Sequence, residues 1–377
     1  MIGSHPNITT TMFPFFCYHS SFSFILFFCL LFLSRPCFPA RILPDPAVTV
    51  ITATANVSHN ATWHDFTKFL DAGKGSQVVG MSELKKYFSR FGYLPVPEKT
   101  NFTDVFDKQL ESALTLYQSR LSLPVTGKLD PETISAITSP RCGVSDAPQQ
   151  QHTPAKLHAT RRYAYFNGKP RWAPAKLLTY AINPKHVISY VSSSDIETIF
   201  HRAFSRWSAV IPVNFTKARD YSSADIKIGF YKGDHGDGEP FDGVLGVLAH
   251  AFSPENGRFH LDAEESWAVD FESDKSKVAV DLDSVATHEI GHLLGLAHSS
   301  VKDAVMYPSL SPRTKKVDLQ MDDVAGVQAL YGSNPNFKFS SLQSENSYNH
   351  AVTNLDTTFA SKWTISLSLI TLIFLFF

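Results

Sequence analysis

The stretch His288-Glu289-Ile290-Gly291-His292-Leu293-Leu294-Gly295-Leu296-Ala297-His298 decides the fold and the chemistry expected of this chain. His288 and His292 are four residues apart, so on a helix both imidazoles point the same way and can bind one cation. Gly295 lies where a left-handed residue can end that helix, which can bring His298 round as a third ligand. Three neutral imidazoles on Zn²⁺ leave a fourth position open for water, the arrangement of a catalytic site. Glu289 is placed to take a proton from that zinc-bound water.

The alternative for this stretch is a pair of solvent-exposed histidines on an amphipathic helix. A bare HExxH pattern occurs on ordinary helices, whereas the extended pattern adds a glycine and a third histidine at fixed offsets. The alternative does not explain why Gly295, His298 and the flanking apolar residues are present. The spacing therefore predicts a catalytic zinc site.

Composition gives a broad class but no partner. Of the 377 residues, 44% are apolar and 18% are charged, which is typical of a globular protein. The formal net charge is −1, so no overall field attracts nucleic acid, and none is expected as a partner.

Both ends of the chain carry targeting signals. The apolar run Phe22–Leu33, followed by Pro39-Ala40, predicts a signal peptide over residues 1–40, although no Lys or Arg precedes the run. The alternative is a buried N-terminal helix. Met12 is a second possible start of the chain. Sequons lie at Asn56, Asn60, Asn101 and Asn214, and they predict glycosylation and a secretory route.

At the C-terminus a polar spacer over residues 336–360 precedes an uncharged tail, and residues 361–377 match the hydrophobic signal for a glycosylphosphatidylinositol (GPI) anchor. The alternative is a short tail anchor, although a spanning helix needs about 20 apolar residues. We therefore expect the protein at the extracellular face of the plasma membrane.

The cysteine count raises a separate question. Cys17, Cys29 and Cys37 lie in the segment expected to be removed, which leaves Cys142 alone. A lone cysteine in a secreted protein cannot close an internal disulfide. Cys142 is therefore either a buried inert thiol or a metal ligand.

Two domains are predicted between these signals. The first, within a propeptide over residues 41–162, has helical signals from Trp63 to Ile137 for about three helices. Its apolar residues recur at helical spacing at Phe106, Leu110, Leu114, Tyr117 and Leu121. Asp130-Pro131-Glu132 predicts a helix start. The segment Ser139–Pro154 is rich in helix breakers and predicts an exposed linker, and Arg161-Arg162 follows it.

The second domain, residues 163–335, mixes strands and helices. Strands are expected over residues 176–182, 226–231 and 247–252, and helices from about Leu282 and over residues 322–331. Ser194-Asp195-Ile196-Glu197 has the form of a capping box for a helix. That helix has one apolar face, formed by Ile196, Ile199, Phe200, Ala203, Phe204 and Trp207.

Here the chain resembles a known family. The histidine stretch is the metzincin signature, and Met306 in Val305-Met306-Tyr307-Pro308 looks like the methionine turn below the metal. Pro140-Arg141-Cys142-Gly143-Val144-Ser145-Asp146 closely matches the cysteine switch of the matrix metalloproteinases, or matrixins. The resemblance implies that Cys142 binds the catalytic zinc in a latent precursor, with Arg141 and Asp146 paired to hold the loop.

The resemblance also implies a fold. It is an α+β (mixed) zinc-peptidase domain with a twisted, mostly parallel sheet, preceded by a small all-α, three-helix prodomain that resembles peptidoglycan-binding modules. No propeller domain follows Gly332 in the sequence, so the chain looks most like plant matrixins that lack a haemopexin-like domain.

Further metal ligands are expected around residues 233–265. Three imidazoles and a carboxylate make a closed, structural zinc site, and the resemblance assigns it to His235, Asp237, His250 and His260. A solvated acidic turn is the alternative. The resemblance places calcium, which prefers oxygen ligands, at Asp242, Gly243, Leu245, Val247, Asp262 and Glu265. Asp225 matches a second calcium position, but the stretch 254–260 is shorter than the family's loop and lacks its acid.

These expectations combine into one function. The chain is predicted to be the secreted zymogen of a zinc-dependent endopeptidase, with extracellular proteins or peptides as substrates and an activating protease as a partner. Substrate should pair with an edge strand near residues 247–252. The neighbouring pocket should be lined by Val285, Leu293 and residues 308–310, with Ser284 near its rim. The alternative is a catalytically silent cell-surface or cell-wall-binding protein, which would have lost a ligand or the base; none is missing.

Overall fold

The computed structural model describes residues 63–96, 101–146, 163–173 and 177–338. The expected signal peptide, the sequons at Asn56 and Asn60, the second half of the expected linker (residues 147–154) and the expected anchor signal lie outside these residues. The prediction of an exposed linker is wrong for its first half, because Arg141 and Cys142 are buried by backbone pairing with residues 247–249. Within the described ranges, no helix combines the length and apolar character needed to cross a bilayer.

The N-terminal part is helical, as predicted. A 3₁₀ helix over Trp63–Phe69 precedes three α-helices, α1 (Met81–Arg90), α2 (Lys108–Arg120) and α3 (Pro131–Thr138). Asp130 caps α3 by accepting a hydrogen bond from the Thr133 amide at 2.9 Å, and Pro131 opens the helix. The predicted apolar face is buried, with Leu110, Leu114 and Tyr117 at 0% exposure. The helices share one core of buried apolar side chains, which Phe241 and Val247 of the second domain join.

The remaining described residues form a mixed sheet with helices. The strands are β1 (Arg141–Cys142), β2 (Ala164–Tyr165), β3 (Leu177–Ile182), β4 (Asn214–Lys217), β5 (Ile226–Tyr231), β6 (Val247–Ala251), β7 (Arg258–Asp262), β8 (Trp267–Ala268), β9 (Val280–Asp281) and β10 (Leu296–Ala297). Six of them form one sheet in the order β1-β6-β7-β5-β3-β4. Within this six-stranded sheet only the β6/β7 pair is antiparallel, so the expectation of a mostly parallel sheet is confirmed. The pairs β2/β10 and β8/β9 are separate.

Three helices complete this domain, α4 (Ser193–Val210), α5 (Leu282–Leu293) and α6 (Met321–Tyr331). The apolar face of α4 is buried as predicted, and the Trp207 indole donates a hydrogen bond to the Thr287 carbonyl of α5 at 2.9 Å. Asp283, also on α5, forms an ion pair with Arg206 of α4 at 2.6 Å. These contacts hold α5, which carries the first two histidines, against the rest of the core.

The start of α4 differs from the prediction. Ser192, not Ser194, is the N-cap, and its hydroxyl accepts from the Asp195 amide at 3.1 Å. Three consecutive serines can each cap a helix, and starting two residues earlier adds backbone hydrogen bonds such as Ile196 N–H to Ser192 O at 3.0 Å. Glu197 pairs with Lys217 at 2.6 Å instead. The predicted capping box at residues 194–197 is therefore wrong.

Candidate functional site

Local backbone geometry builds the histidine cluster. Asp281 caps α5 by accepting from the Ser284 amide at 2.7 Å, and the helix ends at Leu293. Gly295 follows with φ of 101°, a left-handed conformation in which a Cβ would collide with the Pro170 carbonyl. The chain turns back at this glycine, and His298 comes to face the helix.

The three imidazoles converge on one point together with a sulfur. The Nε2 atom of His292 lies 3.1 Å from that of His288 and 3.2 Å from that of His298. The Sγ atom of Cys142 lies 3.4 Å from His292 Nε2. Nitrogen ligands at 2.0–2.1 Å from a tetrahedral zinc ion are about 3.3 Å apart, so this spacing suits zinc.

The hydrogen bonds of the rings determine which nitrogen is protonated. His288 Nδ1 faces the Val305 carbonyl at 2.7 Å, and His292 Nδ1 faces the Leu296 carbonyl at 2.8 Å. Carbonyls only accept, so Nδ1 carries the hydrogen and the Nε2 lone pairs point at one another. Burial also lowers the pKa of both rings well below the usual range, which keeps them neutral. Neutral rings with converging lone pairs are stable together only around a cation, so the residues fit a metal ion.

Glu289 lies beside this cluster. Its side chain is fully buried, the Cys142 thiol faces it, and no N–H or O–H group of the described residues donates to either carboxylate oxygen. Burial raises the pKa of Glu289 to about 8. Burial, with the Glu289 charge adding to it, also raises the pKa of the Cys142 thiol. A cation here would favour the thiolate, because a metal inverts the local balance of charge.

Cys142 is held in the site by backbone pairing. β1 runs parallel to β6, with Arg141 opposite Val247 and Cys142 opposite Ala249. The Gly143 amide continues the pairing by donating to the Ala249 carbonyl at 2.8 Å. In this latent form β1 occupies the edge of β6 that was expected to pair with substrate.

The expected switch pair is formed. Arg141, with 0% exposure, donates to both carboxylate oxygens of Asp146 at 2.7 and 2.8 Å and lies 3.7 Å from the Phe91 ring centroid. Tyr93 donates to Asp146 at 2.7 Å. Burial opposes the charge of Asp146, but Arg141 and His298 outweigh it and hold the pKa of this carboxyl well below its usual range. His298 Nδ1 lies 2.6 Å from Asp146 Oδ1, a contact that the sequence reasoning missed.

Met306 lies buried in the core cluster that includes α5, as expected of a methionine turn. The sequence reasoning missed the residue that holds this turn: Asp323 of α6 accepts from the Val305 and Met306 amides at 2.9 and 3.0 Å. An acid in the first turn of a helix is ordinary, so the sequence carried no signal for this role.

A second cluster contains His235, Asp237, His250 and His260, as the sequence suggested. One oxygen of Asp237 lies 2.9 Å from His235 Nε2 and 2.7 Å from a ring nitrogen of each of the other two. His235 Nδ1 faces the Gly233 carbonyl at 2.9 Å, so its Nε2 lone pair points at the carboxylate. Burial lowers the pKa of His250 and of His260 to about 4. Four converging ligands of this kind fit a closed zinc site.

The expected calcium residues are also gathered. The Gly243, Leu245 and Val247 amides donate to the side chains of Asp262, Glu265 and Asp242 at 3.1, 2.7 and 2.7 Å, respectively. Burial, reinforced by mutual repulsion, raises the pKa of Asp262 to about 6 and that of Glu265 to about 8. One buried oxygen of Glu265 has no partner within the described residues. Clustered buried carboxylates suit a hard cation such as Ca²⁺.

Asp225 lies apart from both clusters of metal-binding side chains found within the described residues. Its carboxylate accepts from the amide and the hydroxyl of Thr179 at 2.9 and 2.8 Å, which joins β5 to β3.

A pocket opens beside Glu289. Its lining includes Ser284, Val285 and residues 308–310, as expected, and also Leu248, Tyr307 and Lys316. Leu293 is not part of it: this residue is fully buried in the core, and its carbonyl accepts from the Trp172 indole at 2.7 Å. The prediction for Leu293 is wrong because a residue five positions after His288 faces the opposite side of the helix.

Comparisons with known proteins agree with this geometry. The Matrixin family matches residues 171–332, and the putative peptidoglycan binding domain family matches residues 79–137. Metalloendoproteinase 1-MMP of Arabidopsis thaliana is 57% identical over 318 residues, which cover 82% of this chain and 86% of that protein. Metalloendoproteinase 1 of Glycine max is 44% identical, covering 71% of this chain and 87% of that protein. Neutrophil collagenase of Homo sapiens is 37% identical, covering 69% of this chain and 52% of that protein.

Proposed function

Because this chain belongs to the matrixin family of zinc metalloendopeptidases, we propose that it is a secreted zymogen in which Cys142 blocks the catalytic zinc. The observation that carries the proposal is the position of the Cys142 sulfur, 3.4 Å from His292 Nε2, within the group formed by the three imidazoles. Matrixins use zinc and calcium, and a thiolate in the fourth zinc position makes a closed site. Removal of the propeptide opens that position.

The catalytic residues follow from the same geometry. His288, His292 and His298 would hold the zinc ion, which when bound polarises a carbonyl and lowers the pKa of water. Glu289 takes a proton from the water that attacks the scissile carbonyl carbon. It passes this proton to the amide nitrogen as the C–N bond breaks. Glu289 is buried beside the three histidines, so its carboxylate is placed both to accept that proton and to return it.

Substrate binding uses the surfaces that the propeptide covers. Once β1 leaves, the backbone of β6 is open to pair with an extended peptide. The side chain after the scissile bond then enters the pocket lined by Leu248, Val285 and Leu310, whose apolar surfaces favour an apolar residue. We propose extracellular proteins or peptides as the substrates.

Two variants test this function. We expect Glu289→Ala in the processed enzyme to lose casein hydrolysis in a zymogram while keeping its zinc, measured by metal analysis. We expect Cys142→Ser in the full chain to activate itself far faster than the wild-type precursor. A processed wild-type protein that binds zinc but cleaves no casein, with or without chelator, would favour the catalytically silent surface protein instead.

Processing and location form a separate part of the proposal. We propose a signal peptide at residues 1–40, a propeptide at 41–162, a catalytic domain at 163–335, a spacer at 336–360 and a GPI-anchor signal at 361–377. The activating protease would cleave within residues 147–162. N-terminal sequencing of the active enzyme, expected to start near Tyr163, tests that boundary.

Glycosylation and anchoring are tested on cells. Asn101 and Asn214 are exposed, as acceptor sites require, and Asn56 and Asn60 complete the proposed set. Enzymatic deglycosylation should therefore lower the apparent mass. A phospholipase specific for phosphatidylinositol should release the protein from intact cells if the anchor is present, and should leave it bound if the tail itself inserts in the membrane.

A further inference from the structure

The three histidines of the catalytic cluster differ in what holds their second ring nitrogen. The Nδ1 atoms of His288 and His292 face backbone carbonyls of the catalytic domain itself, those of Val305 and Leu296. The Nδ1 atom of His298 faces a side chain of the propeptide, Asp146, at 2.6 Å. The propeptide therefore supplies a partner to the third histidine as well as the blocking sulfur.

We propose that Asp146 is the positioning residue for His298 in the latent chain. The zymogen then holds its catalytic zinc more tightly than it would if the Cys142 thiolate were the only contribution of the propeptide. The inference rests on the proposed function, because it takes His298 as a zinc ligand. A carboxylate that accepts the second N–H of a ligating imidazole holds the ring in one orientation and raises its basicity. Activation then removes two supports of the zinc at once.

The structure makes Asp146 a rigid partner. The side chain has 4% exposure, and its oxygens accept from Arg141, at 2.7 and 2.8 Å, and from Tyr93, at 2.7 Å. The Asp146 amide also donates to the Phe91 carbonyl at 3.1 Å. The His298 side chain is itself only 5% exposed. A buried, charged acceptor fixed by several donors keeps its hydrogen bond to His298 at nearly constant geometry.

Arg141 fixes the carboxylate from the other side. Its guanidinium is fully buried and stacks on the Phe91 ring. The hydrogen bonds of Arg141 toward the cluster go to the Asp146 carboxylate and to the Cys142 carbonyl. This arrangement separates two roles: Arg141 holds the loop, and Asp146 both holds the loop and orients the ligand.

The experiment measures the rate at which zinc is lost to an excess of a colour-forming chelator. Full-length protein carrying Cys142→Ser and Glu289→Ala is the background, because the first change removes the thiolate and the second prevents self-cleavage. Within this background, Arg141→Gln is compared with Arg141→Gln/Asp146→Ala. The pair differs only in the carboxylate, and the double change leaves no buried guanidinium unpaired.

We expect the Asp146→Ala change to speed zinc loss about 10- to 100-fold over Arg141→Gln alone, the range found when such outer partners are removed. Tyr93→Phe, which leaves the carboxylate in place, should alter the rate far less. The visible spectrum of the cobalt-substituted protein reports the geometry of the metal ligands. Asp146→Ala should therefore change this spectrum, and Tyr93→Phe should leave it unchanged.

Equal rates in Arg141→Gln and the double variant would overturn the inference, whether both rates are raised or both are unchanged, because Asp146 would then act only through the loop. The failure of the proposed function looks different. In that case Cys142→Ser fails to alter zinc loss in the Glu289→Ala chain, or the processed protein hydrolyses no peptide, whatever Asp146 does.

Discussion

The contact between Gly143 and β6 leads to a sharp prediction about latency. A Cβ built on Gly143 lies 2.7 Å from Val247 Cγ1 and 3.4 Å from both the Ala249 carbonyl oxygen and His250 Cβ. Ordinary contacts between carbon atoms are about 3.5–4.0 Å. Gly143→Ala therefore forces the switch loop, which carries Cys142, away from β6 by most of an ångström.

The neighbouring residues cannot easily yield. Val247 has 0% exposure, its β-branched side chain is stiff, and its amide donates to Asp242 at 2.7 Å. Excess volume in a well-packed site costs about 1–3 kcal/mol. If that cost destabilises only the state in which the switch loop is docked on β6, the population of molecules with the loop undocked rises about 5- to 150-fold.

The assay is the rate at which an alkylating reagent modifies Cys142 in the full chain, followed by peptide mass spectrometry. We expect a rise within that range, together with faster self-activation. Gly73→Ala is the matched control: it lies in the same prodomain, has no positive φ, and a Cβ there meets nothing within 4 Å. If Gly143→Ala is labelled no faster than Gly73→Ala, the loop is not held by its fit against β6.

Two further predictions concern the other metal sites. Asp237→Ala should lower bound zinc from two ions per chain to one, because this carboxylate contacts all three histidines of the second cluster, and Asp234→Ala, an exposed neighbour, should leave two by metal analysis. The second prediction is a pH dependence. Because burial raises the pKa of Glu265 from 4.5 to about 8, the folded chain without calcium keeps a proton that the unfolded chain releases in this window. Its stability should fall as pH rises from about 4.5 to about 8, by up to about 1.4 kcal/mol per pH unit from this group. Thermal unfolding with a calcium-selective chelator should show that loss, and either added calcium or Glu265→Gln should reduce it; an unchanged slope in both cases would refute the calcium assignment.

Features set by short spacing were readable from the sequence. His288 and His292 lie on one face of α5 because four residues make about one helical turn. Gly295 ends the turn because only glycine takes that conformation without a collision. The cap of α3 at Asp130 and the buried face of α2 follow from the same local rules. In each case the decisive contact lies within a few residues.

Local rules failed where several residues satisfied them equally. Each of three serines can cap α4, and the choice of Ser192 depended on how many backbone hydrogen bonds the helix gains. Leu293 was placed in the pocket by its closeness in sequence to the zinc ligands, although its angle on the helix directs it into the core.

The sequence by itself determined the metal chemistry, because the identity and spacing of the ligating residues limit which ion they can hold and what it can do. Only the tertiary structure decided how that chemistry is restrained. Asp146 and His298 are 152 positions apart, and β1 pairs with β6 through residues that are also far apart in sequence, Arg141 and Val247, so no local pattern records either contact. The raised pKa of Glu289 likewise depends on the surroundings that exclude water from its carboxylate, and those surroundings exist only once the chain has folded.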